Sequence, residues 1–536
     1  MTTLNGSEAG SERTAGRQLS PAPSEKGRTA LDSMNTATRT TAAASKHNGR
    51  PEAFSSTAVE ILCVIVLSLA AVLESVSLGA LSVALGNVSV DFSIGGGAIV
   101  WTQLAFTLAT GASLLIWAGI ADAFGRKKTL LLGYGLFTIS SLVSGFLKNN
   151  VAFDVLRGVQ GVGTAAAVAA AIGILGSLYP KPSKRKNYAM GCFAAGAPMG
   201  FTFGQIIGGI CAQFIGWRGI VFFLAMVYGV ATILAFFLVP ADEPLSLKQA
   251  KQKFLDQDHG GALLILSGFV LFVFSMTQAA EAPQQWKTPY IIALIVVGGV
   301  LIIAFAVYEC YVPKNPIMPP EIWKNAGFPV CMACGALGVS TFLGTDQVFM
   351  TQYFQKVKGA GPILTTAYFV PMAVTGFLAN VFASMTLHRI PGRFMMIVAQ
   401  CAFLGASLLM AFAGPNTSFW ALPFPSQILS VLGADLVYNV STLLAINSLG
   451  EDEQSRAGGV FNTITMLSAA VALGAATSIV ATKTPDESVA TKQELSDGYH
   501  YAFWFSTACS GAGVILSFFL RLGTTGDEKL EDEESE

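Results

Sequence analysis

Charge is scarce in this chain: Asp, Glu, Lys and Arg together make up 12% of its 536 residues, roughly half the share of a soluble globular protein. A soluble fold of this length would need far more charge to cover its surface. Net charge is -1, so bulk electrostatics offer nothing to nucleic acid, and no such partner is expected. Histidine is limited to His47, His259, His388 and His500, scattered along the chain. No G-x-x-x-x-G-K-[ST], H-E-x-x-H or G-x-S-x-G occurs, which argues against a primary ATP-driven pump or a membrane hydrolase. No enzymatic activity, cofactor or metal site is expected. The eight cysteines (Cys63, Cys192, Cys211, Cys310, Cys331, Cys334, Cys401 and Cys509) fall nearly all inside apolar runs, where a thiol behaves as a small hydrophobe. Cys331 and Cys334 form a CxxC with no second pair or histidine cluster nearby, short of a four-ligand pattern.

What is abundant is apolar sequence, at 52%. Residues 1–57 are rich in Ser, Thr, Ala, Gly and charge without apolar periodicity and read as a disordered tail; they contain no short apolar core of a cleavable signal. Beyond them come apolar segments at 58–83, 98–120, 128–147, 152–178, 188–213, 218–239, 260–280, 289–311, 326–350, 362–386, 393–414, 419–444, 456–482 and 499–521, each near the ~20 residues that span a bilayer as a helix. Fourteen transmembrane helices are expected, or twelve if the seventh and eighth do not cross. Fifteen Lys and Arg fall on one set of loops, among them Arg126, Lys127, Lys128, Lys181, Lys314, Arg389 and Arg456, against seven on the alternate set. The first set is therefore placed in the cytosol, with both termini, including the acidic end 522–536. Asn416, in the sequon NTS, then falls outside and is a candidate glycosylation site.

One turn stands out. Residues 118–131, AGIADAFGRKKTLL, join two apolar helices through Asp122, Gly125, Arg126, Lys127 and Lys128. Gly125 allows the backbone to turn, and Asp122 is placed to cap a helix start or pair with a cation, so the turn reads as a latch or, more plainly, as a basic cytosolic loop. Inside the apolar segments, where an ionisable residue is costly and function is the default hypothesis, stand Glu74, Arg157, Asp346 and Asp435, with Gln160 and Asn439 nearby. Glu74 and Arg157 are expected at similar depth and able to pair across a cavity. A carboxylate that releases a cation on binding a proton would couple proton flow to conformational change.

These residues bear a resemblance. The 118–131 turn resembles the signature of the major facilitator superfamily between its second and third helices, with Ala118 in place of the leading glycine and Ala123 in place of an arginine. LRGVQGVGTAA resembles the family's second motif, whose arginine is implicated in proton coupling, here Arg157 with Gln160, Gly161 and Gly163. GFTFGQIIGG resembles the antiporter motif, carrying Gly200, Gly204, Gly208 and Gly209, with Gln205 where proline is usual. ALGNVSVDF, ending at Asp91, resembles the end of the first-helix motif and puts Ser77 where an aspartate is common, with Glu74 one turn earlier; Trp217 and Arg218 also fit.

The fourteen segments resemble the fourteen-helix drug:proton antiporter branch. That resemblance implies an all-α fold of two six-helix bundles, 58–239 and 324–521, with a linker and inserted helix pair at 240–323, and a cavity lined by the first helix of each inverted repeat. It implies a monomeric plasma-membrane exporter that exchanges protons for a small organic molecule such as a drug, toxin or secondary metabolite. An uncoupled facilitator or importer and a transporter-like sensor stay open.

Overall fold

The computed structural model describes residues 51–520 except 52, 95, 180–183, 242–246, 280–281, 314–315, 319, 325–326, 387–389, 448–453 and 485–489. Residues 1–50 and the acidic end lie outside the described residues, as do Lys181, Lys314 and Arg389. Among the described residues there is no strand.

Helices lie on all the apolar segments. The N-terminal half comprises α1 (Thr57–Phe92), α2 (Trp101–Phe124), α3 (Arg126–Ser144), α4 (Asn150–Leu178), α5 (Lys184–Phe214) and α6 (Trp217–Leu238). A short α7 (Leu247–Leu255) leads to the inserted pair, α8 (His259–Gln278) and α9 (Pro289–Tyr311). In the C-terminal half, α10 (Gly327–Thr341) runs through a π turn at Phe342–Asp346 into α11 (Gln347–Gln352) and a second π turn at Tyr353–Val357. Then follow α12 (Pro362–Thr386), α13 (Gly392–Ala411), α14 (Pro423–Asn447), α15 (Gln454–Lys483) and α16 (Lys492–Ser517). Among the described residues, ten helical spans are long and apolar enough to cross a membrane, eleven if the bent α5 counts as one. In a bilayer, where no water can satisfy the backbone, helices pair every internal N–H and C=O within themselves.

Local chemistry sets the ends. Ser56 caps α1, its hydroxyl accepting from Val59 N at 3.3 Å, and Asn149 caps α4 by accepting from Ala152 N at 3.0 Å. Gly125 separates α2 from α3 at φ +109, a region that a side chain would strain. The first helix runs nine residues past its expected end, to a left-handed Ser93. At 1.5 Å per residue its 36 residues far exceed the ~30 Å hydrocarbon core. Asp91 holds the extra turns, accepting from Trp217 Nε1 at 3.1 Å and Arg218 Nη1 at 2.5 Å.

One apolar core joins α1 to α3, α4, α5 and α6 around Leu67, Leu81, Tyr134, Phe137 and Tyr228. Two more fill the C-terminal half, around Met396, Phe403 and Phe461 and around Tyr353, Phe369 and Phe503. A fourth, with Leu108, Ile265, Phe305 and Leu467, lays the inserted pair over the seam between α2 and α15. Within the N-terminal half α1 and α5 approach backbone to backbone: a Cβ on Gly200, Gly204 or Gly208 would lie 2.4, 2.5 or 2.2 Å from the carbonyl oxygen of Val72, Val76 or Ala80. Glycine every fourth residue presents one bare face to every fourth residue of the partner helix.

Candidate functional site

Between the halves lies a hollow of about 70 Å³, lined by Ser75 and Leu78 of α1, Phe201 of α5, Phe342 beyond α10, and Val437 and Tyr438 of α14. Its wall is almost wholly apolar and includes none of the four ionisable residues, though Glu74 and Asp435 adjoin Ser75 and Ala434 in it. None of Glu74, Arg157, Asp346 and Asp435 faces lipid, and all four are buried.

Arg157 is fully buried on α4. Its Nε donates to Thr102 O at 3.0 Å, and its Nη1 donates to Ser77 Oγ at 3.0 Å and Gln160 Oε1 at 2.6 Å. The guanidinium lies 4.4 Å above the Phe106 ring, a favourable cation–π placement. Its Nη2 is buried without a hydrogen-bond partner. Gln160 passes the network on, donating to Ser144 Oγ at 3.3 Å. Asp154, one turn before Arg157, is its electrostatic neighbour and accepts from Thr102 Oγ1 at 3.2 Å.

The expected pairing of Glu74 with Arg157 does not form. Similar depth does not make two side chains face each other, and the guanidinium is already engaged by Ser77, one turn beyond Glu74. Glu74 is 7% exposed and makes no hydrogen bond or ion pair among the described residues. Tyr228 of α6 and Tyr438 of α14, one phenol from each half, are its electrostatic neighbours.

In the C-terminal half the two carboxylates differ. Asp435 is fully buried with both oxygens unpartnered, turned toward Gly376 of α12, whose added Cβ would lie 3.3 Å from Oδ2. Asn439 Nδ2 donates to Asp435 O at 2.8 Å and to Asn380 Oδ1 at 3.1 Å. Asp346 does not share the hollow: it accepts from Ser506 at 2.8 Å and from Ser407 at 3.3 Å, so it ties the π turn to α13 and α16 behind the cavity wall.

At the face carrying Asp122, Arg126 Nε donates to Asp122 Oδ1 at 2.8 Å and its side chain covers Gly173 of α4. Lys127 Nζ lies 5.7 Å from the Phe236 ring centre. Toward the opposite face the halves are joined directly: Gln205 Nε2 donates to Gln347 Oε1 at 3.1 Å, Thr366 Oγ1 to Gln205 O at 3.2 Å, and Gln355 Nε2 to Val83 O at 2.5 Å.

The Major Facilitator Superfamily model matches residues 67–473. An uncharacterized MFS-type transporter of Schizosaccharomyces pombe is 31% identical over 81% of this chain and 82% of its own. This chain belongs to that superfamily. Two other similar proteins are a low affinity ammonium transporter of Saccharomyces cerevisiae, 28% identical over 78% of this chain and 80% of its own, and the efflux pump terJ of Aspergillus terreus, 26% identical over 88% and 89%. The crystal structure of the human organic anion transporter MFSD10 (TETRAN) superposes with a TM-score of 0.57 at 14% identity, over 86% of this chain and 99% of that one, a likeness of fold.

Within this superfamily member the motif residues fall into two groups. Gly200, Gly204 and Gly208 meet α1, whereas Gln205 and Gly209 face the other half; a Cβ on Gly209 would lie 1.7 Å from Thr366 Oγ1. Ser77, at the position where an aspartate is common, is an acceptor for Arg157. Asn416 is exposed, in the turn whose Pro415 O accepts from Lys358 Nζ at 2.7 Å. Sequence reasoning missed Glu60, buried in the first turn of α1 and bonded to Tyr179 Oη at 2.8 Å and to Arg185. Its signal was a carboxylate opposite a basic loop, concealed by a separation of more than a hundred residues. It also missed Asp258 and Glu309, at the ends of the inserted helices.

Proposed function

We propose that this superfamily member is a proton-coupled exporter of small organic molecules that works by alternating access, in the plasma membrane with both termini cytosolic and fourteen crossings. One observation carries the reading. Glu74 and Asp435 lie buried without a hydrogen-bond partner among the described residues, each next in sequence to a residue of the hollow's wall, Ser75 in one half and Ala434 in the other, and Arg157 keeps a buried Nη2 without a partner. A buried carboxylate without a partner costs several kcal/mol, most of which is removed when it holds a proton and loses its charge. Taking a proton from outside and losing it inside would therefore change what the hollow binds and how its halves meet. The hollow, at about 70 Å³, is far below the ~300 Å³ that a drug-sized ligand needs, so the halves part to admit cargo. Asp122 with Arg126 would latch the cytosolic side, and Asn416 would carry a glycan outside.

The name of the terJ efflux pump supports export, and the apolar wall suits an amphipathic cargo. A second reading, uptake or facilitated passage of a small cation without proton coupling, is favoured by the ammonium transporter among the relatives and by Gln205 in place of the antiporter proline. Uptake of candidate cargo into inside-out vesicles, with and without an imposed pH gradient, separates the two. Gradient-driven accumulation that is abolished in a folded Glu74→Gln variant supports exchange. Accumulation indifferent to the gradient and to that substitution overturns it.

A further inference from the structure

Away from the central hollow, two acidic side chains face each other where the inserted helices meet the Asp122 face. Asp258 precedes α8, its Oδ1 accepting from Gly261 N at 2.8 Å. Glu309 stands in the last turn of α9, its Oε2 accepting from Met318 N at 3.4 Å. The two residues are 7% and 5% exposed. The other oxygen of each, Asp258 Oδ2 and Glu309 Oε1, is buried with no donor. Both are aimed at one point: a Cβ on Gly261 would lie 2.1 Å from Oδ2 and 3.0 Å from Oε1, which leaves the oxygens no more than about 5 Å apart. Ionised, they can only repel, because a carboxylate accepts and cannot donate.

No described cation answers them. Lys248, Lys251 and Lys324 on the neighbouring segments are exposed, and neither acid forms an ion pair among the described residues. His259 turns its Nε2 to Phe254 O at 2.7 Å, Asp256 accepts from Gln252 at 2.9 Å, and Asp122 on α2 is held by Arg126. The described part of α15 that packs on α8 brings no titratable group. Tyr308 alone faces the pair, its phenol lying over Gly260. A calcium ion would want six to eight oxygens and magnesium a near-ideal octahedron, but two of the four carboxylate oxygens are already taken by backbone N–H groups. One proton needs only the two that are free.

The geometry points to Asp258 and Glu309 as a proton-binding site in which a single proton, bonded to one carboxyl and donated to the other, ties the start of α8 to the end of α9. The site is placed to matter. Gln257, beside Asp258, donates to Gly119 O one turn before Asp122, and the Phe254 ring packs tilted against Phe124 with centroids 5.5 Å apart. Glu309, through Met318, holds the segment that leads into α10. The proton therefore fastens a joint between the helix carrying Asp122 and the C-terminal half. Its loss to solvent leaves two adjacent charges, which part α8 from α9 and loosen Gln257 from Gly119.

The test uses the purified full-length chain and does not depend on transport. Infrared spectra across pH should show one more protonated-carboxyl C=O per chain in the wild type than in Glu309→Gln or Asp258→Asn. The loss should be the same in a Glu74→Gln background, which separates this site from the central hollow. Hydrogen exchange over residues 254–262 should speed up as pH rises in the wild type, beyond the intrinsic change. It should stay slow in Glu309→Gln, whose amide donates to Asp258 without a titrating proton. A band unchanged in both variants, or one abolished by Ca²⁺ at fixed pH, overturns the proposal. So does a Tyr308→Phe variant that loses the pH response, since the phenol would then be the donor.

Discussion

Arg157 shows why residue type matters inside this protein. Its planar fork serves Thr102 O, Ser77 Oγ and Gln160 Oε1 at once, drawing α4 against α1 and α2. An ammonium has no plane to divide among three acceptors, so Arg157→Lys should strand at least one buried oxygen. The expected cost is about 1–3 kcal/mol, read as a lower midpoint of thermal unfolding in detergent together with lost transport; an unchanged midpoint would show that charge alone suffices. The expense of an ion in lipid was enough to single out Arg157, Glu74 and Asp435 in the sequence. Their partners were not legible there. Ser77 and Thr102 are ordinary neutral residues until three helices bring them together, and the contact between Glu74 and Arg157 failed because depth along a helix says nothing about rotation around it. Asp346 shows the same limit: its π turn swings the carboxylate to Ser407 and Ser506, away from the hollow.

Among elements, the contact of α1 with α5 is the most exacting. Gly204 stands 2.5 Å from Val76 O at its would-be Cβ, and Gly200 and Gly208 are equally tight, so no rotamer change can make room. Gly204→Val should force the helices apart at a cost of about 1–3 kcal/mol or more, seen as lower yield and an earlier unfolding midpoint. Gly135, with no atom within 4 Å of its would-be Cβ, is the control that should tolerate alanine. The glycine spacing made close helix packing legible before any coordinates, since glycine every fourth residue bares one face of a helix. The division of labour was not legible: Gln205 and Gly209, inside the same motif, face the other half. At the start of α16 the capping box is also readable as sequence. Thr491 N and Oγ1 donate to Glu494 at 2.7 and 2.9 Å, and these bonds hold the carboxyl below its ordinary value of 4.5. The cap is fully present above that value and is lost as acid carries the pH down through the lowered one. Hydrogen exchange at residues 492–495 should rise on acidification in the wild type, be already fast in Glu494→Ala, and be slow but less pH-dependent in Glu494→Gln, whose amide oxygen still accepts.

At the scale of the molecule, what must change in a transport cycle is how the halves meet, and the joint toward the face opposite Asp122 is built from neutral amides. Gln205 and Gln347 are both buried, with Gln205 Oε1 left without a donor, and Thr366 adds a bond to the Gln205 backbone. Neutral hydrogen bonds net about 1 kcal/mol each, strong enough to bias the closed arrangement and weak enough to break in every cycle. A buried ion pair here would be costly to separate. The position where the superfamily motif carries proline instead holds a side chain that reaches across. Replacing Gln205 and Gln347 by alanine, singly and together, should therefore give a coupling energy of about 1 kcal/mol in a double-mutant cycle on thermal stability. Either single variant should also raise thiol labelling of a cysteine placed at Ser75, in the wall of the hollow, by an impermeant reagent applied from that face. Strictly additive effects with unchanged labelling would mean that the helices α5 and α12, not these amides, hold the face shut.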